Sequence, residues 1–82
     1  MKELKIGDSA QKELDRMDKP TRKRIVKGLA GLLNAPPQGD IKPLKGALKG
    51  ISRLRVGNWR IAYEVTAKSV DILAITPRGG AY

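Results

Sequence analysis

The sequence predicts an α+β fold: a small antiparallel sheet of about four strands, with a two-helix hairpin packed on one face, in the order β-α-α-β-β-β. Three observations carry this reading. The apolar residues follow a helical period up to residue 33 and switch to a period of two after residue 50. Gly57-Asn58 separates two alternating runs, which is a hairpin signal. The chain has 82 residues with no Cys, no Phe, one Trp and two Tyr, so it is expected to form one domain, residues 1–82, around a thin aliphatic core.

The elements follow in order. In residues 2–6, Leu4 and Ile6 alternate with lysines, as in a short strand, and Gly7 ends it. Asp8 followed by Gln11 has the spacing of a capping box, so a helix is expected to start near Ser9. Ala10, Leu14 and Met17 share one face of it. Lys19-Pro20 breaks that pattern, and proline suits the first turn of a second helix. Ile25, Leu29 and Leu32, with Val26 and Leu33 beside them, mark its buried face. Gly28 and Gly31 each cost such a helix about 1 kcal/mol, and the close approach of another backbone would be one reason to keep them. Asn34-Ala35-Pro36-Pro37 stops the helix. Residues 41–50 read as irregular chain. Residues 51–56, 59–65 and 70–76 read as three strands, with a polar turn at Thr66–Ser69. Pro77 and Gly79-Gly80 then release the chain.

A two-residue loop at 57–58 leaves one register. It pairs Val56 with Trp59, Arg55 with Arg60, Leu54 with Ile61, Arg53 with Ala62 and Ser52 with Tyr63. Side chains alternate between faces. Leu54, Val56, Trp59, Ile61, Tyr63 and Val65 form the face the helices are expected to cover. Arg53, Arg55 and Arg60 gather on the other. Like charges directly opposite each other destabilise a sheet, so the Arg55–Arg60 pair calls for a reason. Single arginines on strands usually keep a surface soluble or pair with acids, and Glu64 and Asp71 are the acids expected nearest. Three on one face, in a segment without acids, point to an anion site.

Composition narrows the chemistry. Without Cys or His there is no thiolate, no zinc-thiolate site, no serine–histidine triad and no ordinary general base. The pattern calls for no metal and no cofactor. No apolar run approaches the roughly 20 residues of a membrane span, and the N-terminus is not expected to act as a signal peptide, so the default location is the cytoplasm. The net charge of +9 suits a polyanionic partner. Six of the nine excess charges fall between residues 41 and 63: Lys42, Lys45, Lys49, Arg53, Arg55 and Arg60, with no acid among them. The three lysines are candidates to line the same groove as the arginines and to bind the same polyanion, whether nucleic acid, an anionic membrane or an acidic protein. Arg22, Lys23, Arg24 and Lys27 read instead as a solvated helix face.

The stretch PLKGALKGISRLRVGNWRIAYEV, residues 43–65, resembles the central hairpin of the RelE/ParE toxin superfamily, and VDILAITPRGGAY resembles its closing strand. The resemblance covers nearly the whole chain, with residues 51–65 its specific part. It implies a RelE-like fold and the toxin of a type II toxin–antitoxin pair. It also implies an acidic cognate antitoxin and an oligomeric toxin–antitoxin complex. The RelE branch cleaves mRNA, typically on the ribosome, and the ParE branch inhibits DNA gyrase. Carried over by position, Arg53, Arg55 and Arg60 match the basic hairpin residues of the nucleases. Arg78 matches the basic residue after the last strand, and Tyr82 the closing tyrosine. That set favours the RelE branch.

RNA supplies its own nucleophile, the 2′-hydroxyl. A metal-independent enzyme must help remove its proton, stabilise the phosphorane charge and protonate the leaving 5′-oxygen. Arginine is a poor base but a good bidentate phosphate clamp, so Arg53, Arg55 and Arg60 suit charge stabilisation. Arg78 is placed by the resemblance near the leaving group, and Tyr82 against a base. No general base is visible. Two readings stay open: a ribosome-dependent endoribonuclease, and a gyrase inhibitor or basic binding module without chemistry.

Overall fold

Residues 2–44 and 50–77 are described by a computed structural model. The chain runs β1 (Glu3–Ile6), α1 (Asp8–Arg16), α2 (Lys19–Gly31), β2 (Asp40–Pro43), β3 (Ile51–Val56), β4 (Trp59–Val65) and β5 (Ser69–Pro77). The strands form one sheet in the order β1-β5-β4-β3-β2. β1 lies parallel to β5 and the other pairings are antiparallel. The α+β class and the two-helix layer agree with the sequence. The strand number and the all-antiparallel sheet do not. β2 occupies residues expected to be irregular, because Ile41 alone supplies its apolar alternation. Pro43 ends it on an edge, where a missing N–H costs no ladder bond.

The helix starts rest on different groups from the one the spacing suggests. Gly7, not Asp8, precedes the first turn of α1, and no side chain caps it. The Gln11 N–H donates to the Gly7 carbonyl at 2.9 Å, while its side-chain amide donates to Asp15 Oδ1 at 3.0 Å, so no capping box forms. Asp8 still lies in the first turn, where a carboxylate favours the helix dipole. α2 has a true cap: Asp18 Oδ2 accepts from the Thr21 N–H at 3.4 Å, with Pro20 in the first turn. The Arg22 guanidinium donates to the Met17 carbonyl at 3.1 Å and braces the bend between the helices.

α1 packs over β5 and α2 over β3. Between them lie Ala10, Leu14, Met17, Ile25, Leu29, Leu32, Leu54, Ile61, Tyr63, Val70, Ile72 and Ile75, all buried. Val56 and Trp59 pack against this core half-buried. Val65 departs from expectation. It is 47% exposed, and it borders a groove with Leu33, Pro36 and Pro37 rather than sitting under the helices.

The β3–β4 register is the expected one throughout, from Ser52 opposite Tyr63 to Val56 opposite Trp59. β4–β5 keeps the register of a tight turn from Val65 to Tyr63 and then shifts by one at a bulge between Ala62 and Tyr63. Leu73 is the extra residue and is 40% exposed.

The helix glycines mark two close contacts. A Cβ on Gly28 would lie 2.9 Å from Val56 Cγ2 and 3.6 Å from Leu54 Cδ2, and one on Gly31 would lie 3.1 Å from the Gln38 carbonyl oxygen. At Gly31 the neighbour is backbone, as expected; at Gly28 it is side chain. Gly28→Ala gains about 1 kcal/mol of helix propensity but overpacks α2 against β3, at a cost of about 1–3 kcal/mol. Net destabilisation is expected in urea unfolding. Val56→Ala should cost less in the Gly28→Ala background than in the original chain, a coupling that identifies the crowded pair.

Candidate nucleic-acid interface

The helices cover one face of the sheet and leave the other to strand side chains. Cross-strand partners share a face, so the register converts directly into rows. One row runs Asp40, Arg55, Arg60, Thr76 from β2 to β5, and the next runs Lys42, Arg53, Ala62, Ala74. Arg55 therefore stands directly opposite Arg60, as expected. Arg55 is exposed and Arg60 half-buried. With Gly57 and Asn58 they line a shallow notch of about 70 Å³ at the tip of the hairpin. Gly57 has φ +58°, the left-handed conformation a two-residue hairpin turn requires.

Arg53 differs from its neighbours. Its side chain is 12% exposed, and its guanidinium lies 3.9 Å from Asp40 Oδ1. The acid beside the arginines is thus Asp40, which β2 brings across from Arg55. Glu64 and Asp71, expected in that role, face each other toward the other end of β4 and β5, and Asp71 accepts from the Ser69 hydroxyl at 2.8 Å. Lys42, paired with Arg53 in register, is exposed on the arginine face. Lys45, Lys49, Arg78 and Tyr82 lie outside the described residues.

One cation escaped the sequence reading. A Cβ built on Gly57 would meet the Arg24 guanidinium at 3.8 Å, so Arg24 reaches the hairpin turn from α2. The signal was indirect: Gly28 seats α2 on Val56, and Arg24 lies one helical turn before Gly28 just as Gly57 follows Val56. Two aromatic residues stay out of the site. Tyr63 is 2% exposed among core residues, and burial pushes its hydroxyl above the ordinary tyrosine range, against a smaller opposing effect of hydrogen bonding with Ser52. Trp59 packs half-buried against the same core. Among the described residues no three Asp or Glu side chains gather where they could hold a metal ion, and no helix is long and apolar enough to cross a membrane.

A face built this way offers planar, bidentate donors to a phosphate at an exposed hairpin tip. The family model for the ParE toxin of type II toxin–antitoxin systems, parDE, matches residues 4–82. The chain belongs to the RelE/ParE superfamily of type II toxins. Solved structures agree in fold. The toxin resembles the archaeal RelE–RelB complex from Pyrococcus horikoshii at 28% identity and a TM-score of 0.77, covering 98% of each chain. It resembles the RelBE2 toxin–antitoxin complex from Mycobacterium tuberculosis at 24% identity and a TM-score of 0.79, covering 94% of this chain and 98% of that one. Isolated Escherichia coli RelE matches at 18% identity and a TM-score of 0.79, over 99% of this chain and 88% of that one. No curated protein sequence matches the toxin.

Proposed function

We propose that the toxin is a metal-independent endoribonuclease that cuts ribosome-bound mRNA and so inhibits translation in the cytoplasm. The observation behind this reading is the Arg55–Arg60 pair, which opposes like charges across an exposed notch. Two guanidinium groups on one phosphate would stabilise the phosphorane as its charge develops. Arg53 and Lys42 extend the cationic face along β3 and β2, and Lys45 and Lys49 follow them in sequence. Arg78 serves at the leaving 5′-oxygen, and Tyr82 stacks on a base. A site with so few proton-transfer groups would depend on the ribosome to position the mRNA, an effect worth several kcal/mol.

A second reading has a specific observation in its favour: the matching family model is that of ParE, the branch that inhibits DNA gyrase. Primer extension on an mRNA from cells expressing the toxin separates the two. Codon-phased cuts in translated message are expected. Intact message together with a DNA-damage response would replace the nuclease by the gyrase inhibitor.

The same reading assigns the toxin an acidic antitoxin, encoded beside it and held in an oligomeric complex, as RelE is held with RelB in the Pyrococcus complex. Its C-terminal part is expected to wrap the toxin as a helix or an added strand. Against a chain of net charge +9, its association rate should fall as salt rises. A salt-independent rate would remove charge from the recognition.

A further inference from the structure

The arginine face lacks one thing a ribonuclease needs, a group that accepts the proton of the 2′-hydroxyl. The chain has no His, and arginine keeps its proton at neutral pH. Among the described residues Glu64 and Asp71 share this face only toward the far end of β4 and β5, and Asp40 is the carboxylate in the row of Arg55 and Arg60. Asp40 begins β2 at the sheet edge, directly across β3 from Arg55 and in one row with Arg55 and Arg60. Paired residues on neighbouring antiparallel strands sit about 4.5–5.5 Å apart. The Asp40 side chain is 61% exposed, so substrate has access to it, while its contact with Arg53 at 3.9 Å turns it toward the arginines. The charged groups facing it are Arg53 and Arg55 on β3, Arg60 one strand further along the row, and Lys42 on its own strand.

We propose that Asp40 is the general base of the cleavage, a role that rests on the nuclease reading above. Its carboxylate takes the proton from the 2′-hydroxyl as the 2′-oxygen bonds to phosphorus and the bond from phosphorus to the 5′-oxygen breaks. The departing 5′-oxygen takes a proton from water, and Asp40 returns its own to solvent. The products are a 2′,3′-cyclic phosphate and a 5′-hydroxyl.

The test is single-turnover cleavage of a defined mRNA on programmed ribosomes, followed across pH for the original toxin, Asp40→Asn and Asp40→Glu. Asp40→Asn removes the base, keeps the shape and leaves one charge fewer to repel RNA. It should slow cleavage by about 10²–10⁴-fold, flatten the low-pH limb of the rate profile and bind programmed ribosomes at least as tightly. Asp40→Glu should recover most of the rate, with the limb restored. An Asp40→Asn toxin that cuts at the original rate with the original profile overturns the assignment and leaves the nuclease reading standing. A loss confined to ribosome binding, with the profile unchanged, overturns it as well and reduces Asp40 to a brace for Arg53. If the original toxin cuts no mRNA, the nuclease reading falls and the assignment falls with it.

Discussion

Arg55→Ala and Arg60→Ala are each expected to lower mRNA cleavage by about 10²–10³-fold, the usual effect of removing one preorganised donor from a developing oxyanion. The melting temperature should hold or rise slightly. In the free toxin the two guanidinium groups face each other across β3 and β4, and a like-charge pair in that position costs the sheet a few tenths of a kcal/mol, up to about 1. Neither side chain forms an ion pair within 4.0 Å among the described residues, so truncation strands no partner. Arg53 should behave differently. Its side chain is 12% exposed and sits beside Asp40, so Arg53→Ala removes packing as well as charge and should lower both stability and cleavage. Cleavage measured with thermal unfolding of the three variants reads both effects at once. Full activity in Arg55→Ala and Arg60→Ala would remove the notch from the site.

The β3–β4 hairpin was legible because its physics is local. A two-residue turn leaves one register, and that register brings Arg55 and Arg60 together without tertiary information. The helix stripes were legible for the same reason, since Ala10, Leu14, Ile25 and Leu29 keep the helical spacing and are all buried. What failed depended on contacts distant in sequence. β2 has four residues and a single apolar contact to announce it, so Asp40 was invisible as a neighbour of Arg53. The bulge at Ala62/Tyr63 adds Leu73 to β5 with no glycine or proline to mark it. Arg24 belongs to a basic run that reads as solvated helix, and only the seating of Gly28 on Val56 carries it to the hairpin tip. The capping box failed more narrowly. Gly7 already supplies the extended residue before α1, so Asp8 becomes the first helical residue rather than the cap.

Ile25→Ala carries the largest expected effect on folding. Ile25 is fully buried in α2, in a core with no phenylalanine and, among the described residues, one buried tyrosine. Truncating it removes the transfer energy of the lost methyl and methylene groups and leaves a cavity, at a total cost of about 2–5 kcal/mol. The core it belongs to is mostly leucine, isoleucine and valine, and Met17 is the one long flexible side chain among its members that could collapse into the space. A chain of this length has roughly 4–12 kcal/mol of stability in all, so the loss is a large fraction of it. The melting temperature should fall by about 10–30 °C. Val26, the next residue on the helix, provides the contrast. Expected beside the buried face, it is instead 46% exposed, because one residue turns it about 100° around α2 from Ile25, and Val26→Ala should change stability by about 0.5 kcal/mol or less, with alanine's helix propensity offsetting the lost contacts. Thermal unfolding of the two variants side by side checks the packing of α2 on the sheet. Equal shifts for both would mean that α2 does not present the Ile25 face to the core, and the seating of Gly28 on Val56 that brings Arg24 to the hairpin would fall with it.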